Sequence, residues 1–263
     1  MAVYHDPNAN GLTQTTEGTL MKSTGGQRGL EGGVDKEDLL IPRAQLVQAL
    51  SPEITDRELK KLYPNLTVGS IINSLTKEPL GECFVPVFMF KNYARFNPRK
   101  KDDPAYNKNL EPGAMIWRSN DPLDKRVQEE TKFGPNGEPP AAITFMNFFS
   151  YFPGSPMPII ISFSKTSYKT GKQLLSLAKF GGGDLFSRRY RIFSDMETND
   201  IGTYAVFKIQ PAGQASPNEY ATCERLWNDF SGKAKEIKVH DEDESTVAAD
   251  NPDDHTATAK KPW

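Results

Sequence analysis

The segment "FVPVFMFKNYARF" (Phe84–Phe96) is dense in valine and aromatic residues over the length of one long strand. β-Branched and aromatic side chains are enriched in strands, so this composition predicts a strand packed on at least one face. Pro86 places the beginning of the strand at a sheet edge or a bulge, because proline cannot donate to a strand ladder. The segment therefore predicts a fold organised around a β-sheet.

Other segments on both sides have the composition of strands, which brings the number of strand candidates to about seven. Turn residues separate them, including "PGSP" after Phe152 and Asn199-Asp200 near the end. The other six candidates are "VGSIINSL" from Val68, "GAMIWRS" around Trp117, "AAITFMNFFSYF", "MPIIISFS", "SRRYRIFS" and "GTYAVFKIQ".

Apolar residues at helical spacing are confined to a few places. They predict a short helix over about 42–50, a second around 55–62, an internal helix from about Thr166 to Phe180, and a closing helix over about 217–230. Helices do not alternate with strands in this order. We therefore expect a mainly β fold, a small barrel with large loops, rather than an α/β sandwich.

The composition divides the chain into three parts. Residues 1–36 are rich in Gly, Thr, Asn and Ser without apolar periodicity, and we expect a disordered arm. Residues 37–232 are predicted to form a single β-rich domain. Residues 233–263 are strongly charged, and we expect them to form a disordered acidic tail.

Several function classes find no support in the sequence. The three histidines, His5, His240 and His255, lie outside the predicted domain, so no ordered imidazole is available for a catalytic relay. Cys83 and Cys223 alone cannot hold zinc, and no GxxxxGK[ST] phosphate loop occurs. We found neither a signal peptide nor an apolar run long enough to span a bilayer. We therefore expect a non-enzymatic, cytoplasmic protein with reduced thiols, no cofactor, no metal and no membrane association.

Positive charge is concentrated beside aromatic residues, although the chain as a whole carries a net charge of −2. Single-stranded nucleic acid favours this mixture, because cations follow the phosphates while rings stack on unpaired bases. Tyr93 and Trp117 are the rings most expected to stack. The alternative, in which the rings belong to the core and the arginines to a solvated face, stays open at this level. The predicted contacts are Lys91, Tyr93, Arg95, Arg99, Lys100, Trp117, Arg118, Lys165, Lys169, Lys172, Arg188, Arg189 and Arg191.

The acidic tail changes the charge of the remaining chain. Residues 236–263 hold eight acids and three lysines, so their removal turns the net charge from −2 to +3. A basic body with an acidic tail favours a protein that binds DNA and recruits partners through the tail. The alternative is a tail that only improves solubility. The candidate partner-binding residues are Asp241, Glu242, Asp243, Glu244 and Trp263.

The order of these parts resembles the single-stranded DNA-binding replication proteins of tailed bacteriophages and related prophages. The resemblance covers roughly residues 40–244 and rests on "FSKTSYKTGKQLLSLAKF", "RRYRIFS", "GTYAVFKI", the closing helix and the acidic tail. It implies an elaborated OB-fold barrel in the bacterial host cytoplasm. It also implies non-enzymatic protection of single-stranded DNA in replication or recombination, with replication or recombination proteins bound by the tail. About seven strand candidates depart from the five strands of a plain OB barrel.

Two other functions stay open. Exposed aromatic residues and terminal arms are also typical of a virion or assembly protein. The many carboxylates leave room for a metal-dependent nuclease, although no motif points to one. The sequence does not indicate the oligomeric state or a preference for DNA over RNA.

Overall fold

Strand β3 (Cys83–Phe96) is the centre of the sheet in the computed structural model, which describes residues 40–199 and 202–233. It pairs antiparallel with three strands, and its register shifts between Pro86 and Phe88. The predicted bulge at the proline is therefore confirmed. The other strands in the described residues are β1 (Ala44–Leu46), β2 (Ile71–Asn73), β4 (Met115–Ser119), β5 (Ile143–Tyr151), β6 (Ile159–Phe163), β7 (Arg188–Asn199) and β8 (Gly202–Gln214).

The main sheet has the order β6-β5-β3-β7-β8, with β4 paired to the end of β3, and β1 and β2 form a separate pair. The sheet is open, with β6 and β8 at its edges, and β1 lies in the gap between them. Arg43 forms an isolated parallel bridge with Ile160 of β6. On the other side, the Gln48 side chain donates to the Ala205 carbonyl and accepts from the Ala205 amide, each at 2.9 Å. The β1 segment is therefore joined to each edge of the main sheet by single contacts and not by a continuous ladder of backbone hydrogen bonds.

Helix α4 (Tyr168–Gly181) covers one face of the sheet, where the larger core cluster lies. Alternation along the strands sends Phe84, Phe148 and Ile161 to this face, and Leu174 of the helix is fully buried against them. Thr170 Oγ1 donates to the Phe207 carbonyl at 2.9 Å. The helix therefore satisfies a polar group of β8 while it buries apolar surface.

Helix α5 (Pro217–Phe230) covers the opposite face. Phe149 stacks on Phe88 at 4.6 Å between ring centroids and lies 5.3 Å from Phe230. Burial of the Cys223 thiol in this cluster raises its pKa to about 12. Ser216 and Glu219 form a capping box at the start of the helix, which explains why its bounds could be predicted from sequence.

A mainly β fold with one internal and one C-terminal helix is confirmed. Three further helices are short, and within residues 40–199 and 202–233 no helix has the length and apolar character needed to cross a membrane. These three are α1 (Pro52–Thr55), α2 (Arg57–Leu62) and α3 (Lys125–Glu130).

The helix predicted over 42–50 is wrong. The segment contains β1, in which Leu46 pairs with Ile71 of β2. Leu46 and Val47 are both buried, so neighbouring apolar residues face packed surfaces on both sides of the chain. A short strand buried in this way lacks the alternation that distinguishes strands from helices in sequence.

Helix α3 lies between the predicted strands "GAMIWRS" and "AAITFMNFFSYF", where no helix was predicted. Its first turn is capped by Asp124, whose side chain accepts from the Arg126 amide at 2.9 Å. The helix has six residues, of which only Val127 is buried, so its apolar periodicity is too short to be detected in sequence. The predicted arms, residues 1–36 and 233–263, lie almost wholly outside the described residues.

Candidate nucleic-acid interface

The residues predicted to contact DNA fall into two groups near opposite ends of β3. One group lies where the second half of β3 meets β4, β5 and the start of α4. The other group, the β7 arginines, lies at the beginning of β3, because Arg191 pairs with Cys83. Eight residues of extended strand separate Cys83 from Lys91, a distance of about 26 Å. The structure therefore places the predicted contacts on two separate surfaces.

Alternation along β3 sorts the first group onto the two faces of the sheet. Tyr93 and Arg95 point to one face, and Trp117 of β4 joins them because it lies opposite Arg95. Arg118, the next residue, lies opposite Ala94 and points to the other face. Trp117 and Arg118 are adjacent in sequence, but a single bound strand cannot contact both on one surface.

Glu130 of α3 binds two of the predicted contacts. Its carboxylate lies 3.1 Å from Arg95 Nη1 and accepts from Trp117 Nε1 at 3.1 Å. The Arg126 guanidinium lies over the Trp117 ring, 5.1 Å from its centroid. The carboxylate therefore occupies the position beside Arg95 that a DNA phosphate would take.

Tyr93 and Trp117, the two rings most expected to stack on bases, are buried, which agrees with the alternative that the sequence left open. Each is only 9% exposed, and both belong to a cluster with Val127 of α3 and Ala142. Burial raises the pKa of the Tyr93 hydroxyl, with a further contribution from Tyr168. The physical reason is α3, which covers this face of β3 and β4 and was not predicted. Stacking on bases would require both rings to leave this cluster.

Lys91, Tyr93, Tyr168 and Lys172 come together where β3 meets α4, and we name them the β3–α4 cluster. Lys91 is exposed and pairs with Met146, whose sulfur lies close to the backbone of α4 just before Lys172. The Lys172 ammonium lies over the Tyr168 ring, 5.2 Å from its centroid. Neither lysine has an ion-pair partner among the described residues. The cluster therefore places Lys172 over an aromatic ring and a second cation without an ion-pair partner among the described residues, Lys91, on the adjoining part of β3.

Tyr168 was absent from the predicted contacts. Its position four residues before Lys172 in a predicted helix was the sequence feature that could have identified it, since such residues lie on one helix face. Lys169 is also exposed on α4. Lys165 begins the turn before the helix with φ of 46°, a left-handed conformation that is uncommon for a residue with a side chain. Two further predicted lysines, Lys165 and Lys169, therefore lie near the cluster.

A polar ladder crosses the other face of the sheet from Arg118 to β6. The Ser162 hydroxyl lies 2.6 Å from the Asn147 side-chain amide, which lies 2.8 Å from the side-chain amide of Asn92. With its oxygen turned towards Arg118, the Asn92 amide accepts from the guanidinium Nε at 2.9 Å. Arg118 is therefore exposed, but its guanidinium is held in place by the hydrogen bond to the Asn92 amide.

The β7 arginines contact protein groups. Arg188 donates to the Gly181 carbonyl at the end of α4, Arg189 lies 3.8 Å from Glu219 of α5, and Arg191 lies 2.8 Å from Glu82. Each of these contacts joins β7 to a neighbouring segment. These arginines therefore have structural roles that compete with DNA binding.

The remaining predicted residues lie on loops or outside the described part of the chain. Arg99 and Lys100 are exposed in the loop after β3. The tail residues Asp241–Glu244 and Trp263 lie outside the described residues. Within residues 40–199 and 202–233, no group of three or more His, Cys, Asp or Glu side chains is arranged to hold a metal ion, and both cysteines are free thiols.

One comparison with known proteins gives a match. The family model described as Pam3 phage gp34-like protein matches residues 11–236. No curated protein and no solved structure matches the chain. The matched range includes all the described residues and ends before the acidic segment at Asp241.

Proposed function

The chain belongs to the Pam3 phage gp34-like family, a family of phage proteins, and we propose that it binds and protects single-stranded DNA in phage-type replication or recombination. We propose that it does so without enzymatic activity, in the cytoplasm of the infected cell. The observation that carries the proposal is the β3–α4 cluster, in which the Lys172 ammonium lies over the Tyr168 ring and Lys91 is exposed on β3 opposite Met146, neither lysine having an ion-pair partner among the described residues. Cations beside an accessible ring are the elements that single-strand binding requires.

The strand connectivity supports an OB-like assignment as part of this proposal. Taken in chain order, β3, β5, β6, β7 and β8 are five antiparallel strands in which the first pairs with the second and the fourth. Helix α4 connects the third strand to the fourth, as the helix of an OB barrel does. An OB barrel is partly open, and here β1 lies in the gap. The long connection between the first two strands carries β4, α3, Arg99 and Lys100.

Titration of labelled oligonucleotides into the full chain tests the proposal. We expect single strands to bind more tightly than duplex, with little sequence preference and no cleavage in the presence of magnesium. Eight predicted cations lie around the β3–α4 end, and if six or seven of them bind phosphates, log K is expected to fall with log salt at a slope of about −4 to −5. Equal binding of both forms, or a flat salt response, overturns the proposal. Magnesium-dependent cleavage supports a nuclease instead.

Replacement of Lys91 and Lys172 together by glutamine is expected to reduce the magnitude of this slope by about 1.4, since each lost phosphate contact removes about 0.7 on single strands. The binding constant should be measured by fluorescence anisotropy over a salt series. Arg191→Gln is the matched control, because this arginine is exposed but bound to Glu82 on the other surface. An unchanged slope in the double variant, or an equal loss per residue in the control, contradicts binding at the β3–α4 cluster.

We further propose that the acidic tail competes with DNA and recruits replication or recombination proteins. A tethered segment has an effective concentration on the order of millimolar at surfaces it can reach, and its contacts weaken in salt. Deletion of residues 236–263 is therefore expected to tighten single-strand binding several-fold at low salt, with a smaller gain at high salt. If the truncated chain binds equally at low salt and still supports phage replication, the tail only improves solubility.

A role in virion assembly is the second candidate, and two exposed rings favour it. Phe133 is 72% exposed and Phe180 is 88% exposed, and aromatic side chains of this kind are enriched in contacts between protein subunits. Sedimentation without nucleic acid distinguishes the two functions. Concentration-dependent assembly that Phe180→Ser abolishes, together with no oligonucleotide binding, supports assembly.

A further inference from the structure

Helix α3 covers three of the predicted DNA contacts on one face of the sheet. Tyr93 and Arg95 lie two residues apart on β3, and Trp117 of β4 lies opposite Arg95. Two rings and a cation therefore share one face, which is the combination that single-strand binding uses. With α3 in place, both rings are buried and the Arg95 guanidinium is bound to a protein carboxylate.

Glu130 is the side chain of α3 that binds this face. One of its carboxylate oxygens lies 3.1 Å from Arg95 Nη1, and the other accepts from Trp117 Nε1 at 3.1 Å. A DNA phosphate offers an arginine the same negative charge and the same paired acceptor oxygens. The Glu130 carboxylate and a phosphate therefore compete for one guanidinium.

The rest of α3 is attached to the sheet by few contacts. Val127 is the one buried side chain among the six residues of the helix, and the nearby apolar residues Leu123 and Phe133 are 75% and 72% exposed. The Ala142 amide donates to the Glu130 carbonyl at 2.9 Å, which joins the end of the helix to the residue before β5. A segment with so little apolar burial opens at a lower free energy than the core of the domain.

Arg126 belongs to the helix that would have to move. Its guanidinium lies over the Trp117 ring, 5.1 Å from the centroid, and donates to Asp124 Oδ2 at 2.7 Å. Because Asp124 caps α3, this pair would leave the ring together with the helix. A base stacked on Trp117 needs the space that the guanidinium occupies.

We propose that α3 is a lid over a second part of the single-strand site, and that Glu130 holds the lid closed until a DNA phosphate replaces its carboxylate at Arg95. Displacement of α3 then exposes Tyr93 and Trp117 for stacking on bases. The inference rests on the proposed function and adds regulation to it. Tyr93 already belongs to the β3–α4 cluster, whose exposed lysines would bind the strand before the lid opens.

The first experiment compares Glu130→Gln with Glu129→Gln as its matched control. Both substitutions remove one negative charge from α3, but Glu129 is exposed and has no ion-pair partner among the described residues. The apparent affinity of a site that is open part of the time is reduced by the open fraction, so Glu130→Gln should tighten single-strand binding about three- to tenfold more than the control does. Fluorescence anisotropy with a labelled oligonucleotide measures both affinities.

Val127→Thr tests the lid without a change of charge. Threonine keeps the shape of valine but places a hydroxyl in the cluster with Trp117, which weakens the docking of α3. Single-strand binding should tighten about two- to fivefold, because the open fraction rises. Circular dichroism checks that each variant is folded. The lid is refuted if Glu130→Gln binds no more tightly than Glu129→Gln and folded Val127→Thr binds no more tightly than the wild type.

The second experiment follows the Trp117 ring. Trp227→Phe and Trp263→Phe together leave Trp117 as the one tryptophan, since the chain has three. Its emission should resist acrylamide quenching in this free chain, become accessible when Glu130→Gln is added, and fall when a saturating oligonucleotide stacks on the ring.

The two experiments separate failure of the lid from failure of the proposed function. Oligonucleotide binding that leaves Trp117 emission unchanged means that α3 stays closed, which overturns the lid while the proposed function stands. Greater acrylamide access in Glu130→Gln without tighter binding also overturns it, because the uncovered rings would then not contact DNA. A wild-type chain that binds no oligonucleotide refutes the proposed function itself.

Discussion

Replacement of Trp117 by alanine is expected to lower the free energy of unfolding by about 3–5 kcal/mol, the usual cost of deleting a buried aromatic ring. The ring packs in the cluster with Tyr93 and Val127, and its Nε1 donates to Glu130. Alanine would leave a cavity under α3 and remove a partner of the Glu130 carboxylate. Urea denaturation monitored by circular dichroism measures the change.

Trp227→Ala is the matched control, because this tryptophan is 45% exposed on α5. Its replacement should change the free energy of unfolding by no more than about 0.5 kcal/mol. Trp117→Phe keeps most of the packing but loses the hydrogen bond, so a smaller loss of about 1–3 kcal/mol is expected. A stable Trp117→Ala variant with a selective loss of single-strand binding contradicts the core assignment and restores the ring as a stacking platform.

Gly171→Val is expected to displace α4 from the sheet and to lower the free energy of unfolding by about 3 kcal/mol, the upper part of the range for overpacking. A Cβ at this position would lie 2.8 Å from Phe163 Cβ and 3.2 Å from Met146 Sδ, both fully buried side chains. Neither neighbour has space to move. Thermal or urea denaturation measures the loss of stability.

The same variant tests whether α4 positions the DNA contacts. Because Lys172 directly follows Gly171, displacement of the helix should weaken single-strand binding although no charge has changed. Gly202→Val is the control, since a Cβ there has no neighbour within 4 Å and valine is favourable in a strand. If Gly171→Val retains both wild-type stability and wild-type binding, the helix is not docked as the structure places it.

Local sequence patterns were sufficient to predict the strands and helices whose ends are marked by residues within the element or directly beside it. The strand at Phe84–Phe96 was predicted to within one residue, because its composition and Pro86 are both local features. The helix at Pro217–Phe230 was predicted with its exact bounds, because a serine cap precedes it and a proline is its first residue. The helix predicted over 42–50 failed, since pairing with β2 outweighs the apolar spacing of that segment.

The candidate site was predictable only as a set of residue types. Composition identified Lys91, Lys169 and Lys172 as cations near rings, but Lys91 comes near α4 only because Met146, with which it pairs, packs against Gly171 of that helix. Contacts between residues far apart in the chain depend on register and docking, which no local pattern specifies.

Alternation by itself determines that Trp117 and Arg118 point to opposite faces of a strand. It does not determine which face is buried, because burial depends on what packs there. Helix α3 covers the Trp117 face, and its Glu130 binds both that ring and Arg95. The sequence therefore determined which side chains share a face, and only the tertiary structure decided which face solvent and DNA can reach.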